Sequence, residues 1–281
     1  MIFVLVLLTT FFSVIAAEGD KHLLRYRFPK GGELQWNVQQ SLRITTSLKG
    51  KTETVETSSR STKIWTVLDV AEDGTATFEY KVGEVHMKRS QTDKEDESYD
   101  SSKDKEIPPA FRSLEETIGV PLANWSIDPF GEMIKKKPLR RYAGASEENR
   151  IAIPLPKDPK VVGEKWSIQT PIEVPLPNHT VKKIAAEQQF TLDNVAVGVA
   201  KISFRTLIKT PIDNPKIESQ IIDKYSSGSV KLDLDSGLLI SQEMKVDKRV
   251  VGFQGDSSWI HHQSRFTECR CGLPSCDICR R

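Results

Sequence analysis

The feature that most constrains this chain is alternation. Thr75, Thr77, Glu79 and Lys81 interleave with Ala76, Phe78, Tyr80 and Val82. A period of two sends the polar set to one face of a strand and the apolar set to the other, which a helix cannot do. Similar patterning covers 33–47, where Leu34, Trp36, Val38, Leu42 and Ile44 fall mostly at even spacing, and 61–70. It resumes over 165–174, 181–191, 196–209, 217–235, 238–251 and 257–267. β-branched and aromatic residues are plentiful in these runs. They predict a mainly β protein. Apolar residues make up only 38% of the chain, which suits antiparallel sheets with one face in water.

Residues 2–17 read IFVLVLLTTFFSVIAA, without a charge. An apolar run ending in small residues is the pattern of a secretory signal peptide. The expected location is therefore exported: periplasm, cell surface or secreted. No later stretch has the apolar length of a membrane span, so no transmembrane segment is expected after the signal. The 40 basic and 38 acidic side chains nearly cancel, and this balance gives no reason to expect a nucleic-acid partner.

Between the strands, 91–106 is dense in charge and serine and is expected to form a loop or the wet end of a hairpin. Pro108-Pro109 opens a short helix in which Phe111, Leu114 and Ile118 share a face and Gly119 supplies the stop. The expected organisation is a signal peptide over 1–17 and a first β half over 18–137. A Pro-rich and basic connection over 138–160, a second β half over 161–267 and a Cys-rich tail over 268–281 complete it.

The two halves repeat each other in order. Gly32-Glu33-Leu34-Gln35-Trp36 matches Gly163-Glu164-Lys165-Trp166 with one deletion. Asp73-Gly74-Thr75-Ala76-Thr77-Phe78 matches Val197-Gly198-Val199-Ala200-Lys201-Ile202. Ile127-Asp128-Pro129-Phe130-Gly131-Glu132-Met133-Ile134 matches Leu232-Asp233-Leu234-Asp235-Ser236-Gly237-Leu238-Leu239, a hairpin of the form apolar-Asp-x-x-Gly that has one further residue before the glycine in the second half. The fold expected is one long curved antiparallel sheet, or two packed sheets, from two repeat-like halves with one short helix.

The stretch SSGSVKLDLDSGLLISQEMKVD (226–247), behind an apolar leader and a Gly-Glu-x-Trp strand, resembles uncharacterised exported bacterial β-sheet proteins. It is also distantly similar to the lipoprotein-carrier type of half-barrel. The resemblance implies a curved sheet that wraps a helix and an apolar ligand.

The chain shows no G-x-S-x-G elbow, H-E-x-x-H, phosphate loop or dinucleotide fingerprint. Asp128, Asp233 and Asp235 are candidate carboxylates for hydrolysis, but turn chemistry accounts for them. Cys269, Cys271, Cys276 and Cys279 form C-x-C-x4-C-x2-C. In an exported chain this pattern reads as two disulfides; the spacing also suits four thiolates on zinc. His261 and His262 must point to opposite faces of a strand, so at most one could join such a cluster. Trp36, Trp65, Trp125, Trp166 and Trp259 are expected in the core, with an exposed sugar platform as the alternative. Lys135, Lys136, Lys137, Arg140 and Arg141 read as a solvated linker, or as an anion-binding patch. Asn124-Trp125-Ser126 and Asn178-His179-Thr180 are glycosylation sequons. The functional expectation is a non-enzymatic binding or structural protein whose partner is an apolar small molecule or a cell-envelope protein.

Overall fold

A computed structural model describes residues 19–140 and 152–272. The signal segment, residues 141–151 of the connection and the end of the tail lie outside the described residues. The first half contains β1 (Glu33–Leu48), β2 (Lys51–Val70), β3 (Ala76–Gln91), β4 (Glu97–Asp100), β5 (Pro121–Ile127) and β6 (Met133–Pro138). The second contains β7 (Lys165–Gln169), β8 (Ile172–Pro175), β9 (Val181–Ile184), β10 (Ala186–Ala196), β11 (Val199–Ile208), β12 (Ser227–Asp233), β13 (Leu239–Val251) and β14 (Trp259–Arg270).

Twelve strands form one open antiparallel sheet in the order β6-β5-β3-β2-β1-β14-β13-β12-β11-β10-β7, with β4 paired to β3. Strands β8 and β9 make a separate hairpin. The chain starts at mid-sheet with β1 and meanders to one edge. It then restarts at the opposite edge with β7 and meanders back to β14, which pairs with β1. Both halves thus cross the sheet in the same direction, as an in-order repeat requires.

The registers refine the repeat. Gly31 N and Gly163 N donate to Val67 O (3.1 Å) and Leu192 O (2.7 Å), while Val67 N and Leu192 N donate back to Gly32 O and Glu164 O. Gly31 is therefore the counterpart of Gly163. Leu34, opposite Trp65, corresponds to Trp166, opposite Phe190. The match of Trp36 with Trp166 expected from sequence is off by this register. The other two matches hold: Ala76 and Ala200 are fully buried, as are Phe78 and Ile202. Asp128 and Asp233 each open a hairpin turn.

Residues 22–28 are extended but mostly outside the ladder. Leu24, Tyr26 and Phe28 alternate inward into the core. Tyr26 N donates to Pro129 O (2.7 Å) and Arg27 N to Gly237 O (3.0 Å), so this segment straddles the corresponding turns of both halves. The turn glycines allow it. A Cβ on Gly131 would lie 2.5 Å from Ile153 O, and one on Gly237 2.6 Å from Arg27 N.

Four expectations are corrected. The connection over 138–160 is not all linker, because Ala152, Ile153 and Leu155 are buried in the main core. Tyr26 Oη donates to Ile153 O, Trp166 Nε1 to Pro154 O and Leu155 N to Phe130 O, so its polar backbone is satisfied inside. The lysines of the basic cluster belong to edge strand β6, where exposed lysines discourage pairing with another chain. The strand expected over 217–235 begins only at Ser227. Asn214 accepts from Lys216 N and Ile217 N, with Pro215 in the first turn, and starts helix α1 (Pro215–Gln220). A 3-10 turn, Ile222–Lys224, follows. The helix expected after Pro108 is a 3-10 turn, Pro109–Leu114, with Phe111 buried.

Candidate functional site

The concave face is built in cross-strand rows. Registers place Phe266 opposite Met244, Met244 opposite Gly228, Gly228 opposite Phe204, Phe204 opposite Phe190, and Phe190 opposite Trp166. These residues make one apolar hoop across six strands. Trp166 and Phe190 stack with ring centres 5.4 Å apart. Gly228 leaves a gap in the hoop that the Phe204 ring covers; a Cβ there would lie 2.8 Å from Phe204 Cζ.

Toward one end the face is plugged. Trp36 and Trp65 (4.7 Å between ring centres), Trp65 and Phe78 (4.5 Å), Phe78 and Trp125 (6.3 Å) and Trp125 and Tyr80 (5.0 Å) form a chain of ring contacts. Phe28 packs on this chain from the N-terminal segment. Toward the other end, α1 and the following turn lie against β13. Lys248 Nζ is 2.8 Å from Glu218 and 4.5 Å from the Tyr225 ring centre.

Between plug and helix is a cavity of about 810 Å³. Its walls include Val38, Tyr80, Phe204, Met244 and Phe266, with Ile172 from the second hairpin. Lys136 of edge strand β6 and Gln169 at the end of edge strand β7 both line it, so the sheet curls until its two edges face one space. Gln40, Gln188, Gln242 and Thr206 add amide and hydroxyl groups.

The floor holds an ion pair. Lys63 and Glu268 are in contact, and their side chains are only 13% and 3% exposed. Lys63 Nζ also sits 4.8 Å from the ring centres of both Trp36 and Trp65. A buried carboxylate needs such a partner to stay charged. Above, His262 is buried on the same face. Burial pushes its imidazole pKa down, His261 adds to this and Asp223 opposes it.

The other candidates fall elsewhere. Asp128 Oδ1 accepts from Phe130 N and Glu132 N, and Asp233 Oδ1 from Asp235 N and Ser236 N. Hydrogen bonds from Ser236 hold the Asp233 carboxyl below its usual range. Each of these two carboxylates is engaged by the backbone of its own turn. His261 pairs with Asp247 on the outer face, opposite to His262, as strand geometry requires. Cys269 is buried at the end of β14, and Cys271 N donates to Gln35 O (2.8 Å). Cys276 and Cys279 lie outside the described residues. Trp36, Trp65 and Trp125 are buried, whereas Trp166 and Trp259 are half-buried, so they form no exposed platform. Asn124 lies within β5 with its carbonyl oxygen buried; Asn178 is on the exposed turn of the β8–β9 hairpin.

Sequence reasoning missed Lys63 and Glu268. The available signal was phase: Lys63 falls two residues from Trp65, and Glu268 two from Phe266, on the same dry side. Nothing local shows that the two meet.

No family model matches this chain, and no curated protein does. Among solved structures, one described as lipid–protein interactions in lipovitellin overlaps 89% of this chain at TM-score 0.48 and 9% identity. The overlap spans 26% of the lipovitellin chain. DynF from the dynemicin biosynthesis pathway of Micromonospora chersina overlaps 90% of this chain and 86% of its own, at TM-score 0.21 and 8% identity. A DUF1329 family protein from Desulfovibrio piger overlaps 84% and 87%, at TM-score 0.14 and 10% identity. These likenesses are too distant to bear on function.

Proposed function

We propose that this chain is a non-enzymatic carrier that holds one small, largely apolar molecule on the concave face of its sheet. The observation behind this reading is the cavity between the aromatic plug and α1. Its volume of about 810 Å³ falls within the roughly 300–1,000 Å³ of small-molecule sites. An apolar body fits against Phe204, Met244 and Phe266, and a few amides and hydroxyls set its orientation. Lys63 and Glu268, an acid and a base on the floor, are engaged with each other, which suits holding a molecule more than reacting with it. The apolar leader supports an exported setting for this role.

The test is titration of the purified chain with the neutral fluorophore N-phenyl-naphthylamine. Saturable binding at one site per chain is expected. Met244→Trp, which fills the hoop, should abolish it without lowering Tm. Absence of saturable binding, or equal binding by Met244→Trp, would refute the carrier reading.

A further inference from the structure

The polar groups of the cavity fall into two sets. The ionic groups are already engaged. Lys63 and Glu268 hold each other, Asp223 and Lys224 lie 3.6 Å apart, and Lys136 is engaged as well. Two glutamine amides are not. Gln188 and Gln242 line the cavity half-buried, and among the described residues no hydrogen bond reaches either side chain. The registers set these amides on opposite sides of the apolar hoop. Gln242 lies opposite Val230, and Val230 opposite Ile202, in the row on the plug side. Gln188 lies opposite Thr206, in the row on the helix side. Phe204 of the hoop stands between Ile202 and Thr206 on the same face of β11. The two rows are therefore about 13 Å apart along the strands, at about 3.3 Å per residue. Beside Gln188, Thr206 Oγ1 and Ser226 Oγ lie 3.1 Å apart and add hydroxyls to that end.

We infer that the molecule held in this cavity is uncharged and carries a hydrogen-bonding group at each end of an apolar body. One end meets Gln242, the body lies along Met244 and Phe204, and the other end meets Gln188. The inference rests on the carrier reading above. A ligand lying across the hoop takes both amides out of water, and each then needs a new partner. An amide offers both donor and acceptor, so a hydroxyl, ester or amide group on the ligand can answer it. An anionic head would have to take Lys63 from Glu268, and a cationic head Glu268 from Lys63. Either exchange leaves a buried charge without its counter-ion. A molecule polar at one end only would leave one amide unanswered.

Three probes of equal chain length decide the matter: dodecanol, dodecanediol with a hydroxyl at each end, and dodecanoate, each competed against N-phenyl-naphthylamine at pH 7. The diol should bind about fivefold tighter than the alcohol, the factor that one neutral hydrogen bond supplies. A cavity polar at one end only would reverse that order, because the second hydroxyl must leave water unanswered. Dodecanoate should bind most weakly. Gln242→Leu and Gln188→Leu should each bring the diol down to the affinity of the alcohol. The alcohol, which can use the remaining end, should stay close to its parent value, with unchanged fluorophore binding as the control on folding. A diol no tighter than the alcohol, or tightest binding by dodecanoate, would overturn the two-ended uncharged ligand and leave the carrier intact. Fluorophore binding that none of the three displaces would do the same. A diol preference that survives in either variant would overturn the placement of that end. If the fluorophore itself shows no saturable binding, the carrier reading falls and this one with it.

Discussion

Replacing Lys63 by methionine probes the floor of the cavity most sharply. The Glu268 side chain is 3% exposed, so Lys63→Met leaves a carboxylate with no counter-ion where water scarcely reaches. Breaking a buried pair on one side costs about 3–5 kcal/mol. Two cation–π contacts, each worth about 0.5–1 kcal/mol, are lost as well. The methionine thioether recovers much of that by packing on Trp36 and Trp65. The expected net loss is about 3–5 kcal/mol, a fall in Tm of about 6–20 °C for a chain of this size. The double variant Lys63→Met/Glu268→Met removes both charges and should lie within about 1 kcal/mol of the parent. Urea unfolding at pH 7, followed by tryptophan fluorescence, gives all four corners of the cycle. A single variant that loses less than about 1 kcal/mol, or a double variant as unstable as the single, would refute the reasoning.

Three other outcomes follow from the geometry. His262 is harder to protonate when folded, so the unfolded chain binds the extra proton below about pH 6.5. Stability is therefore complete above that pH and declines as pH falls toward the lower folded pKa. His262→Gln should flatten this part of a Tm-against-pH curve and leave the drop below about pH 4, where lowered carboxylates such as Asp233 and Asp247 titrate. Gly237→Ala places a Cβ 2.6 Å from Arg27 N at a φ of +66°. It should cost more than about 1 kcal/mol and raise amide exchange at Tyr26 and Arg27, whereas unchanged exchange would show that the segment does not depend on that turn. The four tail cysteines should pair as two disulfides: thiol titration of the unreduced, denatured chain should find none free, and one bound zinc with four thiols after chelation would contradict this.

The strand content was legible because one dry face leaves a period of two along every long strand, as at Ala76, Phe78, Tyr80 and Val82. The hairpins that run from Asp128 to Gly131 and from Asp233 to Gly237 were legible because their chemistry is local to a few residues. In sequence β12 merges with the residues before it because Ile217, Ile221 and Ile222 are as apolar as strand residues, although Asn214-Pro215 carries the local signal of a helix start. The burial of 152–155 was hidden because prolines mark linkers in sequence, yet here their missing donors suit a strap whose remaining groups meet Tyr26, Trp166 and Phe130. The Lys63–Glu268 pair lay beyond reach, since two charges 205 positions apart meet only after β1 and β14 have paired.

That same seam governs how the molecule can assemble. Trp36 pairs with Arg270 and Ser47 with Trp259, so β1 waits with an open edge until β14 is made. Closure of so long a loop is entropically slow. Until it occurs, a sixteen-residue template stands ready to recruit a stranger's backbone. The interval between making β1 and making β14 is thus one in which the growing chain is exposed to mispairing.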